Sequence, residues 1–278
     1  MTVLQRFGGF ATSTQMSRAR VGARELTSAV QSGLILRPRR GIYALPTVPA
    51  HALEAVSLGG RLSCVSAARS YGLWGGTDGR LHLRVPPHAT RLPTGEAVRH
   101  WVDGEDHDEC WRVCLADCLR SVVRCAPTET AVAVLDTALS AGVATVAGLS
   151  RIFRDEPENA RSVAAWARPG SDSGVESIVR QRLQARGHIV EQQVHVSGVG
   201  RVDMRVDGLL YVELDGFAYH SGRAAFERDR IRDTALALAG GRRLRVSAIQ
   251  VLEHGDEVVA TIEALLATPE IRPMAPVL

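Results

Sequence analysis

The sequence contains no lysine; all 33 basic residues are arginine. Any catalytic site must therefore work without an ammonium side chain, and the bias suits a GC-rich genome. No apolar run is long enough to span a bilayer. The opening MTVLQRFGGF lacks the charged-then-apolar plan of a secretory signal. Cysteine is sparse, at 5 residues, odd in number and without a regular framework. That excludes a disulfide scaffold and points to a reducing cytoplasm. Strong charge of either sign is lacking too. A formal charge of +3 and a pI near 8.8 permit a nucleic-acid partner without demanding one, so local arginine clusters matter more. At 278 residues the chain has room for two or more domains, each with its own core.

The most informative stretch is 201–233, RVDMRVDGLLYVELDGFAYHSGRAAFERDRIRD. Asp207-Gly208 is a hairpin turn signal between apolar, β-rich segments. Side chains alternate along a strand, so Glu213 and Asp215 share a face, and the hairpin brings Asp203 level with them. Acidic groups on an apolar strand are costly to bury without partners, and close like charges raise at least one pKa unless a cation neutralises them. Mg²⁺ (or Mn²⁺) held by oxygen ligands is the expected partner: it polarises a phosphate and lowers the pKa of a bound water. Asp203, Glu213 and Asp215 are the expected metal ligands. His220, beyond the Gly216 turn, is a candidate general base or extra ligand. A charged helix over 224–239 follows, with Arg228 and Arg232 on one face. Arg230, and Arg245 in the later strand RRLRV, are the expected phosphate contacts. Upstream, Ser173 with Glu176 three residues on forms a capping-box pattern, closed by Gly187. Glu176 is therefore either a cap partner or a support for the metal. Asp207 reads as a turn residue, and the arginine helix reads equally as a solvated face laced with ion pairs.

Residues 7–46 have a different character. A helix capped by Thr12 or Ser13, a second helix over 22–31 and two short strands around Arg37-Pro38-Arg39-Arg40 give the layout of a winged helix. The second helix would enter the major groove and the hairpin would lie on phosphates. Arg18, Arg20 and Arg24 near that helix and Arg37, Arg39 and Arg40 in the wing are the expected DNA contacts, with Ser17, Thr27 and Ser28 adding polar ones. The alternative is a small winged helix used for packing or dimerisation.

Residues 48–168 read as helix-rich, with a strand at 81–85 and a helix at 131–141 stopped by Gly142. Cys110, Cys114 and Cys118 recur every four residues. A zinc or iron–sulfur site is conceivable there, but no paired CxxC is present and buried cysteine packs as a small hydrophobe, so core packing is the reading adopted. Trp101 and Trp111 are read as core. The segment 168–174 reads as a linker and 269–278 as a disordered tail.

The helix bearing Glu176, the aspartate of RVDM, the VELDG strand, Tyr219-His220, the DRxRD helix and the RLRVSA strand resemble, in order and spacing, the Vsr-like endonucleases of the PD-(D/E)xK superfamily. The resemblance implies an α/β sandwich around a mixed sheet, with Asp203 and Glu213 as metal carboxylates and Glu176 in support. Asp215 stands where that superfamily's usual lysine would be. The phrase SGLILRPRRGIYALP resembles the N-terminal domain of AbiEi-type antitoxins. The expected architecture is a multidomain α/β chain: winged helix-turn-helix (1–47), helix-rich connector (48–168), nuclease-like α/β sandwich (174–268) and tail (269–278). Two functions are expected. One is a cytoplasmic DNA-binding endonuclease. The other is an antitoxin-type regulator of its own operator, with a cognate toxin and a silent nuclease-like domain.

Overall fold

The computed structural model describes residues 2–104, 107–197, 199–215 and 242–268. Within them the chain is a mixed α/β protein with eleven helices and three small sheets. His220, Arg230, the helix expected over 224–239 and the tail expected over 269–278 lie outside the described residues. The chain divides into two compact units, residues 1–135 with 144–166, and residues 136–143 with 167–278.

The first unit opens with α1 (Thr2–Arg6), β1 (Phe10–Thr12), α2 (Ser13–Arg18), α3 (Ala23–Gln31), β2 (Leu36–Arg39) and β3 (Ile42–Ala44). Thr12 caps α2 through a reciprocal box with Gln15, each side chain bonding the other's backbone N–H. The strands pair in the order β1-β3-β2, all antiparallel, and a left-handed Gly41 (φ 84°) helps turn the β2–β3 hairpin. Leu4, Ala11, Met16, Leu26, Ile35 and Tyr43 form a core beneath these elements. The unit continues through α4 (Ala50–Ser57), β4 (Arg61–Leu62), α5 (Cys64–Ser70), β5 (His82–Val85), β6 (Val98–Trp101), α6 (Leu115–Cys125), the start of α7 (Thr128–Ser140), α8 (Val146–Ile152) and α9 (Glu158–Ala165). β5 is central in its sheet, antiparallel to β4 and parallel to β6. Trp111 is buried, stacks on Phe10 and donates its indole N–H to Phe7 O. Trp101, expected in the core, is 53% exposed on β6.

The second unit holds the end of α7, then α10 (Gly174–Ala185), β7 (Val190–Val196), β8 (Gly200–Val206), β9 (Leu210–Asp215), β10 (Arg242–Ser247) and α11 (Ala248–Ala267). Its four-stranded sheet runs β10-β9-β8-β7, antiparallel except for the β9–β10 pair. Val202, Met204 and Val206 on β8, Leu210, Val212 and Leu214 on β9, and Val246 on β10 are buried at alternate positions. α10 and α11 pack on each other and supply Val175, Ile178, Val179, Leu183, Val251, Val259 and Ile262 to the same interior. Asp207 and Gly208 both take left-handed φ, 51° and 71°, which two-residue hairpin chemistry favours. The segment 168–173 is tied down: Arg168 N–H donates to Asp136 and Gly170 N–H to Ser140.

Candidate functional site

The alternation that buries valine and leucine on one face of the second unit's sheet sends its charged residues to the other. Asp203 lies one residue past the last β8–β9 pair, Met204 with Val212, and its carboxylate caps the ladder by accepting Leu214 N–H at 2.8 Å. Glu213 and Asp215 share a face by parity. The parallel register places Arg243 beside Tyr211, Arg245 beside Glu213 and Ser247 beside Asp215. The result is a cleft of about 500 Å³ lined by Val199, Gly200, Arg201, Asp203, Glu213, Asp215 and Arg245. Four of the expected site residues thus meet in one place.

Arginine settles much of the charge. Arg243 donates to Glu213 Oε2 in a short charge-assisted bond, and Arg245 Nε lies 3.2 Å from the same oxygen and 3.4 Å from Asp215 Oδ2. Burial pushes the Asp203 pKa up, and the nearby Glu213 charge adds to this against the Leu214 hydrogen bond.

Glu176 sits close enough to feel Asp203. Ser173 caps α10 by accepting Glu176 N–H, and Glu176 Oε1 in turn accepts the Ser173 hydroxyl at 2.8 Å. Its Oε2 accepts Asp172 N–H at 2.9 Å and the Gln193 amide at 3.0 Å. Glu176 is therefore a cap partner that also faces the acidic group. Burial, reinforced by the Asp203 charge, pushes its pKa up to about 7. Gln193 carried no sequence signal. It takes a left-handed φ of 53° within β7, a strained conformation for a residue with a Cβ. Its buried Oε1 has no hydrogen-bond partner within the described residues.

Asp207 is a turn residue: it accepts Ile189 N–H and pairs with His188. An all-oxygen donor set of two or three carboxylates suits a hard divalent cation such as Mg²⁺. Its carboxyl oxygens are nevertheless not drawn tightly together. Within the described residues, the one set of three or more His, Cys, Asp or Glu side chains whose ligand atoms converge within 4.8 Å lies in the first unit.

On the front segment, Arg18, Arg20, Arg24, Arg37, Arg39 and Arg40 are all exposed. Arg24, Thr27, Ser28 and Gln31 fall at i, i+3, i+4 and i+7 of α3 and form one exposed polar stripe, opposite Leu26 in the core. Arg37 lies over the Tyr43 ring, and Arg39 is held by a 2.9 Å bond to Gly59 O. The three regularly spaced cysteines are no cluster. α6 starts only at Leu115, so Cys110 precedes it in the core, Cys114 is its N-cap, and buried Cys118 bonds Cys64 O.

No protein-family model matches the chain, and no curated protein matches it. No described helix is long and apolar enough to cross a membrane.

Proposed function

We propose that this is a cytoplasmic protein that binds DNA through a winged helix in residues 1–47 and hydrolyses phosphodiester bonds at the acidic cleft of its second unit, with Mg²⁺ or Mn²⁺ as cofactor. One observation carries the reading: Asp203, Glu213 and Asp215, from two adjacent strands, line a single cleft together with Arg245. Asp203 and Glu213 would hold the ion and Asp215 would hold or orient it. When bound, such an ion supplies Lewis-acid polarisation and a more acidic water. Arg245, already between two carboxylates, is placed to exchange onto a phosphate oxygen. Glu176, with its pKa raised to about 7, can take or return a proton near neutral pH. His220 and Arg230 keep their proposed roles as proton carrier and phosphate contact, though they lie outside the described residues. The polar stripe on α3 would read base edges while Arg37 and Arg40 lie on phosphates.

Plasmid nicking with Mg²⁺ and Mn²⁺ tests this. Asp203→Ala and Glu213→Ala are each expected to lower cleavage by about 10²–10³-fold, the scale of losing one electrostatic element of a transition state. Cleavage that persists unchanged in both variants would overturn the proposal.

A second reading is favoured by the Arg243 and Arg245 contacts on Glu213, which satisfy that carboxylate without a metal. In it the protein is an antitoxin-type regulator bound to its own operator, with a cognate toxin as partner and no hydrolysis. Specific operator binding by footprinting, with no nicking under any metal, would select it.

A further inference from the structure

His82 on β5 and His100 on neighbouring β6 face each other, with His82 Nδ1 3.3 Å from His100 Nε2. Cys125, at the end of α6, places its Sγ 3.7 Å from the same His82 nitrogen. Cys64 at the start of α5 completes the group, and the four ligand atoms all lie within 4.8 Å of one another. We propose that Cys64, His82, His100 and Cys125 form a closed Cys₂His₂ zinc site that staples α5, β5, β6 and α6 together.

Zn–S bonds of about 2.3 Å and Zn–N bonds of about 2.0–2.1 Å set tetrahedral edges of roughly 3.3–3.8 Å. The 3.3 Å N···N and 3.7 Å S···N distances already fall in that range, and no other separation needs to shrink by more than roughly 1.5 Å. Two thiolates and two imidazoles form a borderline-soft donor set, which selects Zn²⁺ and disfavours Mg²⁺ or Ca²⁺. Four protein ligands leave no open position, so the role is structural.

The outer shell fits as well. Asp78 Oδ2 lies 3.2 Å from His82 Nε2, and Asp78 is itself bonded by Arg80. A proton on Nε2 donated to that carboxylate leaves the Nδ1 lone pair for a metal, the arrangement that carboxylate–histidine–metal triads use. Cys64 is held at φ 50°, a rare conformation for a non-glycine residue and one that recurs where a site constrains the backbone. Cys64 and His82 are buried, whereas Cys125 is exposed and offers a way in from solvent.

The test uses the full chain produced in zinc-supplemented medium and purified without chelator. Elemental analysis is expected to find one zinc per chain. Replacement by Co²⁺ is expected to give tetrahedral d–d bands with thiolate-to-cobalt charge transfer. Cys125→Ser, at an exposed position, is expected to weaken zinc binding by at least about 100-fold, since outer-shell losses alone reach that scale, and Asp78→Asn by about 10-fold. Cys114→Ser and Asp203→Ala are expected to keep the cobalt spectrum, which separates this site from the acidic cleft. The proposal is overturned if wild-type protein gives no thiolate–cobalt band. It is equally overturned if Cys125→Ser and His100→Asn bind zinc with wild-type affinity, or if thiol-blocked native protein carries a Cys64–Cys125 disulfide.

Discussion

The acidic cleft and the cysteine–histidine cluster both gather ligand-type side chains, but they settle their charge in opposite ways. In the cleft, Arg243 and Arg245 reach Glu213, Arg245 approaches Asp215, and a backbone N–H reaches Asp203. In the cluster the nearest partners of the histidines are each other, a thiol and the Asp78 carboxylate. Burial also raises the Cys64 pKa and lowers those of His82 and His100, so these three stay uncharged without an ion. In an arginine-rich chain, carboxylates draw guanidinium groups, which compete with any metal. Thiols and imidazoles do not. The density of acidic residues is therefore a poorer guide to a preformed metal site than the convergence of soft donors.

Arginine compensation is tested most severely at Asp136. It is fully buried and accepts from Ser177 at 2.6 Å, Arg180 at 2.8 Å and Arg168 N–H at 2.7 Å. Asp136→Ala leaves the buried Arg180 charge without its carboxylate and should cost about 3–5 kcal/mol in a denaturant titration. An effect under about 1 kcal/mol would mean that arginine pairing does not govern the interior of this unit.

The cluster is sharpened by chelation. All 4 tryptophans lie at positions 74, 101, 111 and 166, inside the first unit, so their fluorescence reports on that unit. Free zinc at 100 times its Kd stabilises by about 2.7 kcal/mol, and a strong chelator should remove that from the fluorescence-detected transition. An unchanged transition would place the two sites on an equal footing.

Titration of Glu176 gives a smaller, graded effect. Its folded pKa of about 7 lies above the ordinary carboxylate range, so the unfolded chain releases this proton first as pH rises. Its contribution to stability is full below the unfolded value and falls as pH climbs through about 7, by about 1.4 kcal/mol per unit of pKa difference. Glu176→Gln should flatten the difference curve between pH 4 and 8 in urea unfolding; parallel curves for the two proteins would remove burial as the cause. The smallest expected effect is at the front. Arg40→Ala should weaken DNA binding and reduce the slope of log K against log salt by about 1, and a slope equal to wild type would take Arg40 off the phosphates.

The hairpin at Asp207-Gly208, the shared face of Glu213 and Asp215, and α10 between Ser173 and Gly187 were all legible because each depends on neighbours in sequence. Asp203 was legible through the hairpin. The arginine clamp on Glu213 was not: it needs the parallel β9–β10 register, which no local pattern encodes. The reading of the regularly spaced cysteines as core packing holds for Cys110 and Cys118, both buried. Fourfold spacing makes a stripe only inside a helix, and α6 begins at Leu115, after two of the three. Cys64, His82, His100 and Cys125 lie on four elements and share no spacing at all.

By itself the sequence determined the features that period and turn chemistry control: which residues alternate, where helices start, and that all cationic side chains are arginine. Only the tertiary structure decided which of those groups meet. Strand register and helix packing bring residues from distant positions within a few ångströms of one another, and at that range charge pairing and ligand geometry take over.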